Sequence, residues 1–204
     1  MIQETFMKKW SELFLKYLIH HFPSPTVLRE RFHYVETIVQ HAAQLFNHDS
    51  FFSMPPEKIY EKLNSIQLPE CSIRMTNLGR MNEAGHIVEK LYTLVSTAGD
   101  FETRMNAAKF PQAGVVTLSA ILCVARPRLF ILRNTPLTKA LSKVVPFYSA
   151  RALTELGYSE FLDICNELSN VLEEWANLPD IVTWIRSHRF TLLYCILVNP
   201  SGIQ

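Results

Sequence analysis

The stretch "FPQAGVVTLSAILCVARPRLFILRNTP", residues 110–136, decides how this chain is read. Pro111 and Gly114 mark a short turn, "VVTLSAILCVA" is an apolar helix, "RPR" begins a second turn, and Asn134-Thr135-Pro136 opens another helix. Asparagine is a strong N-cap, because its side-chain oxygen accepts a backbone N–H of the first turn, and proline is tolerated just behind it. Arg126, Arg128 and Arg133 crowd into this stretch with no acid beside them, although the whole chain carries a formal charge of only +1.

On the N-terminal side, Phe6, Trp10, Leu13, Phe14, Tyr17, Leu18 and His21 recur every three or four residues, the period of an amphipathic helix over 2–21. After "FPSPTV", Ser24 as cap and Pro25 at the first helical position start a second long helix, with Val35, Ile38, Val39, Ala42, Leu45 and Phe46 as its buried stripe. Ser53 ahead of two prolines repeats the device, residues 66–80 read as a loop, and 81–97 as a helix ended by Gly99. Helices are expected at 101–108, 113–126, 135–145 and 149–156. Phe161, Ile164, Leu168, Leu172 and Trp175 give the strongest helical period, behind a Ser159 cap, and "PDIVTWIRSH" continues as one more helix. Residues 190–198, "FTLLYCILV", are apolar without a helical period and read as a short strand. The expected class is all-α: a multi-helix domain with one C-terminal apolar strand.

With 204 residues, 48% of them hydrophobic, the chain can bury a core of its own. That apolar run of nine residues is about half of a membrane span, so no membrane partner is expected. The N-terminus "MIQETFMKKW" lacks a secretory signal pattern, which places the protein in the cytoplasm. Cys71, Cys123, Cys165 and Cys195 form no CxxC pair and read as buried thiols. Five of the seven histidines fall within the first fifty residues, but His41 and His48 stand two turns apart and no HExxH motif accompanies them. Neither metal nor cofactor is expected.

Charge is unevenly distributed. Between Glu102 and Glu155 there is no acid, whereas residues 103–154 hold eight bases: Arg104, Lys109, Arg126, Arg128, Arg133, Lys139, Lys143 and Arg151. Such a window fits a polyanion-binding face, because clustered Lys and Arg release counterions from phosphate. The resulting division is an acidic helical lobe at 1–100, a basic helical lobe at 101–188, and a strand and tail at 189–204 that either pack on this domain or link to a further one.

The quoted stretch resembles the helix-hairpin-helix DNA glycosylases of the endonuclease III type. Phe110 to Gly114 take the positions of that family's L-P-G-V-G hairpin, and Asn134-Thr135-Pro136 falls without a gap where its D-T-H motif stands. The resemblance implies a two-lobed glycosylase-like fold and contact with DNA. It also implies lost catalysis: Val116 stands where the family has its Schiff-base lysine, and Asn134 where it has its aspartate. Gln112 replaces the first hairpin glycine, and no four-cysteine iron–sulfur loop follows. The segment Ser119 to Leu141 is also similar to helical modules placed ahead of the motor in McrB-like modification-dependent restriction proteins. No GxxxxGK[ST] loop occurs within the chain itself.

The expectation from these readings is a non-catalytic DNA-binding module that reads a modified or flipped base for an attached, nucleotide-driven defence or repair effector. Lys109, Gln112 and Gly114 would meet phosphate at the hairpin, Arg126, Arg128, Arg133, Lys139 and Lys143 would clamp the backbone, and Asn134 would face the base. Two alternatives stand beside it: a helical protein-interaction scaffold, and an active glycosylase using displaced residues such as Asp100, Glu102 or Lys109.

Overall fold

The computed structural model describes residues 2–45, 53–55, 58, 61, 67–68, 71–72, 90, 93–94, 101–108, 115–145 and 147–201. Among them, nine helices and one small hairpin are formed. In chain order these are α1 (Ile2–His21), α2 (Pro25–Phe32), α3 (Tyr34–Leu45), β1 (Gln67–Leu68), β2 (Cys71–Ser72), α4 (Phe101–Ala107), α5 (Val115–Ala125), α6 (Thr135–Val144), α7 (Ala150–Glu155), α8 (Tyr158–Ala176) and α9 (Pro179–Val198). The fold is all-α.

Local chemistry sets most of these boundaries. Ser24 accepts from Val27 N–H at 3.3 Å, with Pro25 directly behind it, and Ser149 caps α7 in the same way through Ala152 N–H. Asn177, in the left-handed region at φ 53°, ends α8. The expected long helix from 25 is instead two: the chain turns at His33, and the Nδ1 of that histidine lies 2.8 Å from the carbonyl of Glu30. The N-cap of α8 is Gly157 rather than Ser159. Gly157 has no side chain to offer, and its N–H donates to the carboxylate of Glu160 at 3.0 Å, half of a capping box. The expected loop at 66–80 contains the β1–β2 pairing, in which Gln67 faces Ser72 and Leu68 faces Cys71. Most of the helix expected at 81–97 lies outside the described residues.

The largest departure from expectation is at the C-terminal end. Residues 190–198 are not a strand and tail but the second half of α9, so the expected boundary at 188/189 falls inside a helix. Every residue from Phe190 to Leu197 is buried. A helix covered on all sides has no polar face, so the 3.6-residue alternation that would identify it in sequence is absent. α9 packs against α2, α3, α6 and α8, and α1 against α6 and α8. The buried side chains, from Trp10 to Val35 in the first helices and from Met105 to Leu197 in the later ones, belong to one continuous core. Tyr17 fastens α1 to the last helix by donating to the carbonyl of Ile196 at 2.8 Å, and burial pushes this phenol up to about 12.

α9 is also the one described helix long and apolar enough to cross a membrane by length and composition, but 61% of its apolar window is buried inside the protein. It is the central core helix of the bundle.

Candidate functional site

The connector 126–134 and α6 run along one face of α9. Arg128 Nε donates to the carbonyl of Ser187 at 3.3 Å, Asn134 Nδ2 donates to the hydroxyl of Tyr194 at 2.9 Å, and α6 and Val198 line one groove at the far end. Residues 187, 191, 194 and 198 are spaced as one stripe of a helix, about 16 Å long at 1.5 Å per residue. Segment 126–143 thus meets α9 at Ser187 and Tyr194, and its later part shares a groove with Leu197 and Val198.

Those side chains have different fates. Arg126, Arg128, Lys139 and Lys143 are exposed, and none has a carboxylate partner among the described residues. Arg133 is the exception. It is 5% exposed, its guanidinium donates to the carbonyls of Leu153 (2.9 Å) and Thr154, and it lies over the Phe161 ring at 5.1 Å. Those carbonyls belong to the last turn of α7, where a cation satisfies orphan acceptors and complements the negative end of the helix. The expected phosphate clamp at Arg133 is corrected by this burial: the residue is a helix cap inside the protein.

Asn134 is likewise turned inward. Its side-chain oxygen accepts from Leu137 N–H at 3.0 Å, the cap expected from sequence, while its amide is spent on Tyr194. With both ends of the amide engaged and only 8% of the residue exposed, Asn134 does not face a base-sized pocket as expected. Val116, in contrast, is 49% exposed at the start of α5. Ser119 joins the two segments: its hydroxyl donates to the carbonyl of Val116 at 3.0 Å and accepts from Arg133 N–H at 2.9 Å. Lys109, Gln112, Gly114, Asp100 and the side chain of Glu102 lie outside the described residues.

The acid-free window is also less free than its count implies. Arg151 pairs with Glu155 at 2.9 Å, and Arg104 donates to the carbonyl of Leu94 at 3.2 Å. Elsewhere Glu173 holds Arg186 and Arg189 of α9, at 2.7 and 3.9 Å, and Arg29 meets Asp180 at 3.4 Å.

A groove of about 520 Å³ opens where α1, α6 and the end of α9 meet. Leu13, Ala140, Val144 and Leu197 give it aliphatic walls, Tyr17 and His21 line it from α1, and Lys139 and Lys143 stand on α6 one turn apart. Burial lowers the pKa of His21, and the neighbouring charges of His20 and Arg31 lower it further. Sequence reading named the two lysines but not the groove, because α1 and α6 are more than a hundred residues apart. The four-residue spacing of the lysines was the one local signal.

Among the described residues no group of three or more His, Cys, Asp or Glu side chains could hold a metal. Cys123, Cys165 and Cys195 are free and buried, and burial pushes the Cys195 thiol up to about 12. No protein-family model, curated protein or solved structure matches the chain.

Proposed function

We propose that the chain is a non-catalytic DNA-binding module. Arg126, Arg128, Lys139 and Lys143 hold the phosphate backbone, and the module passes its recognition to an attached nucleotide-driven effector of defence or repair. The observation that carries this reading is that four exposed cations, unmatched by acid among the described residues, stand on the single segment 126–143. Duplex DNA presents about one negative charge per 1.7 Å of axis, so exposed cations of one segment can each meet a phosphate. The offset from Gly114 to Asn134 supports a glycosylase-like ancestry for the hairpin, and Val116 supports the loss of its chemistry.

Such a face gives affinity rather than sequence choice. Four phosphate contacts predict that log K falls against log salt concentration with a slope of about −3 to −4. The test is a fluorescence-anisotropy titration of a labelled duplex from 50 to 300 mM salt, on the wild type and on Arg126→Glu/Arg128→Glu. Expected are a steep slope for the wild type and one shallower by about two for the variant. A flat slope, or no binding at the lowest salt, would remove the reading. Unchanged DNA affinity with lost self-association in the variant would favour the scaffold alternative instead.

A further inference from the structure

We propose that the groove between α1, α6 and the end of α9 binds a small amphiphilic carboxylate, its apolar chain on the aliphatic walls and its head between Lys139 and Lys143. Lys139 and Lys143 also belong to the proposed phosphate face, so the two readings are separated through Arg126 and Arg128, which do not line the groove; three observations carry this one.

The first is size: at about 520 Å³ the groove lies within the range of pockets that take small molecules, about 300–1,000 Å³. The second is the character of the walls. Leu13, Pro136, Ala140, Val144, Leu197 and Val198 make most of the lining apolar, which a phosphodiester backbone does not use and a hydrocarbon chain does. The third is charge complementarity: no carboxylate lines the groove, while both lysines are exposed and without an acidic partner among the described residues. Lysine stems lie along apolar surface and keep their ammonium groups at the water boundary, which puts the positive charge at the mouth rather than at the base. The hydroxyl of Tyr17 is committed to Ile196, which leaves His21 as the polar side chain on the α1 wall.

The selectivity that follows is an anion with an unbranched apolar tail, preferred over the equivalent alcohol and over a cationic amphiphile. Isothermal titration with hexanoate, octanoate, decanoate, decan-1-ol and decyltrimethylammonium tests it. Saturable one-to-one binding of decanoate is expected, tightening about fourfold per added methylene. Decan-1-ol should bind at least tenfold more weakly, and the cation not at all.

Lys139→Ala/Lys143→Ala should weaken decanoate at least tenfold with an unchanged circular-dichroism melt, because both side chains are exposed. Ala140→Trp fills the groove and should abolish binding. If that variant does not fold, the lysine pair decides alone. Arg126→Glu/Arg128→Glu should leave decanoate untouched, so failure of this proposal and failure of the DNA reading are separable. Equal affinity for decan-1-ol and decanoate, wild-type binding by the lysine variant, or no binding by the wild type would overturn the proposal.

Discussion

The side-chain amide of Asn134 bridges two elements at once, donating to the Tyr194 hydroxyl of α9 at 2.9 Å while accepting from Leu137 N–H of α6 at 3.0 Å. One side chain thereby starts one helix and ties it to the core helix. Asn134→Ala should cost about 2 kcal/mol in urea denaturation, since loss of an N-cap alone costs about 1 and the Tyr194 hydroxyl loses a partner. Asn134→Asp keeps the cap and should cost less. Tyr194→Phe should cost about 1 kcal/mol, and a double-mutant cycle of Asn134→Ala with Tyr194→Phe should show coupling. Additive effects would mean the pair does not interact.

Arg133 supports the structure without contacting a ligand. Arg133→Met removes the donors to Leu153 and Thr154 and leaves those carbonyls in the interior, which should cost about 2–4 kcal/mol. At a temperature where both proteins are folded, its affinity for duplex DNA should stay within twofold of wild type. A loss of DNA affinity as large as that of Arg126→Glu/Arg128→Glu would put the guanidinium back at the surface.

Within α9, Leu193 is fully buried whereas Leu178, just before the helix, is 45% exposed. Leu193→Ala should therefore destabilise by about 2–5 kcal/mol, and Leu178→Ala by less than about 0.5. Thermal melts of the two variants give the comparison directly. Similar shifts would contradict the central placement of the helix.

Much of this arrangement is legible in the residues and part is not, for physical reasons. Caps at Ser24 and Asn134 are short-range chemistry, and the stripe of α8 at Phe161, Ile164, Leu168 and Leu172 repeats at the helical period because one of its faces is wet. The end of α9 has no wet face, so its helical state leaves no periodic trace. Counting charge is blind to direction: Arg133 adds as much to the sum as Arg126, yet one caps α7 inside the protein and the other meets solvent. The groove depends on α1 and α6 coming together, a tertiary event with no local signature.

The buried thiols make a further prediction. Cys123, Cys165 and Cys195 are enclosed, and burial raises Cys165 and Cys195, so almost no thiolate forms near neutral pH. In a Cys71→Ser background, a disulfide reagent at pH 8 should label native protein only as fast as it opens, and all three thiols at once in denaturant. Rapid labelling of the native protein would show a more accessible core.

Acid should loosen the α1 end. The folded-state pKa of His21 lies below its unfolded value of 6.5, through burial first and then His20 and Arg31. The unfolded chain therefore binds the proton first as pH falls. The contribution of His21 is fully present above pH 6.5 and is lost as pH falls through the folded-state value. Denaturation midpoints measured from pH 7.5 to 5 should fall more steeply for wild type than for His21→Gln. Parallel curves would assign the acid sensitivity to other groups.

The hydrogen bond from Tyr17 to Ile196 spans 179 positions of sequence. During synthesis α1 can pack on α6 and α8 first, and its tie to the end of α9 is added last. Part of the core therefore closes only when both ends of the described chain are together, a high-contact-order feature that slows folding relative to a bundle of local contacts.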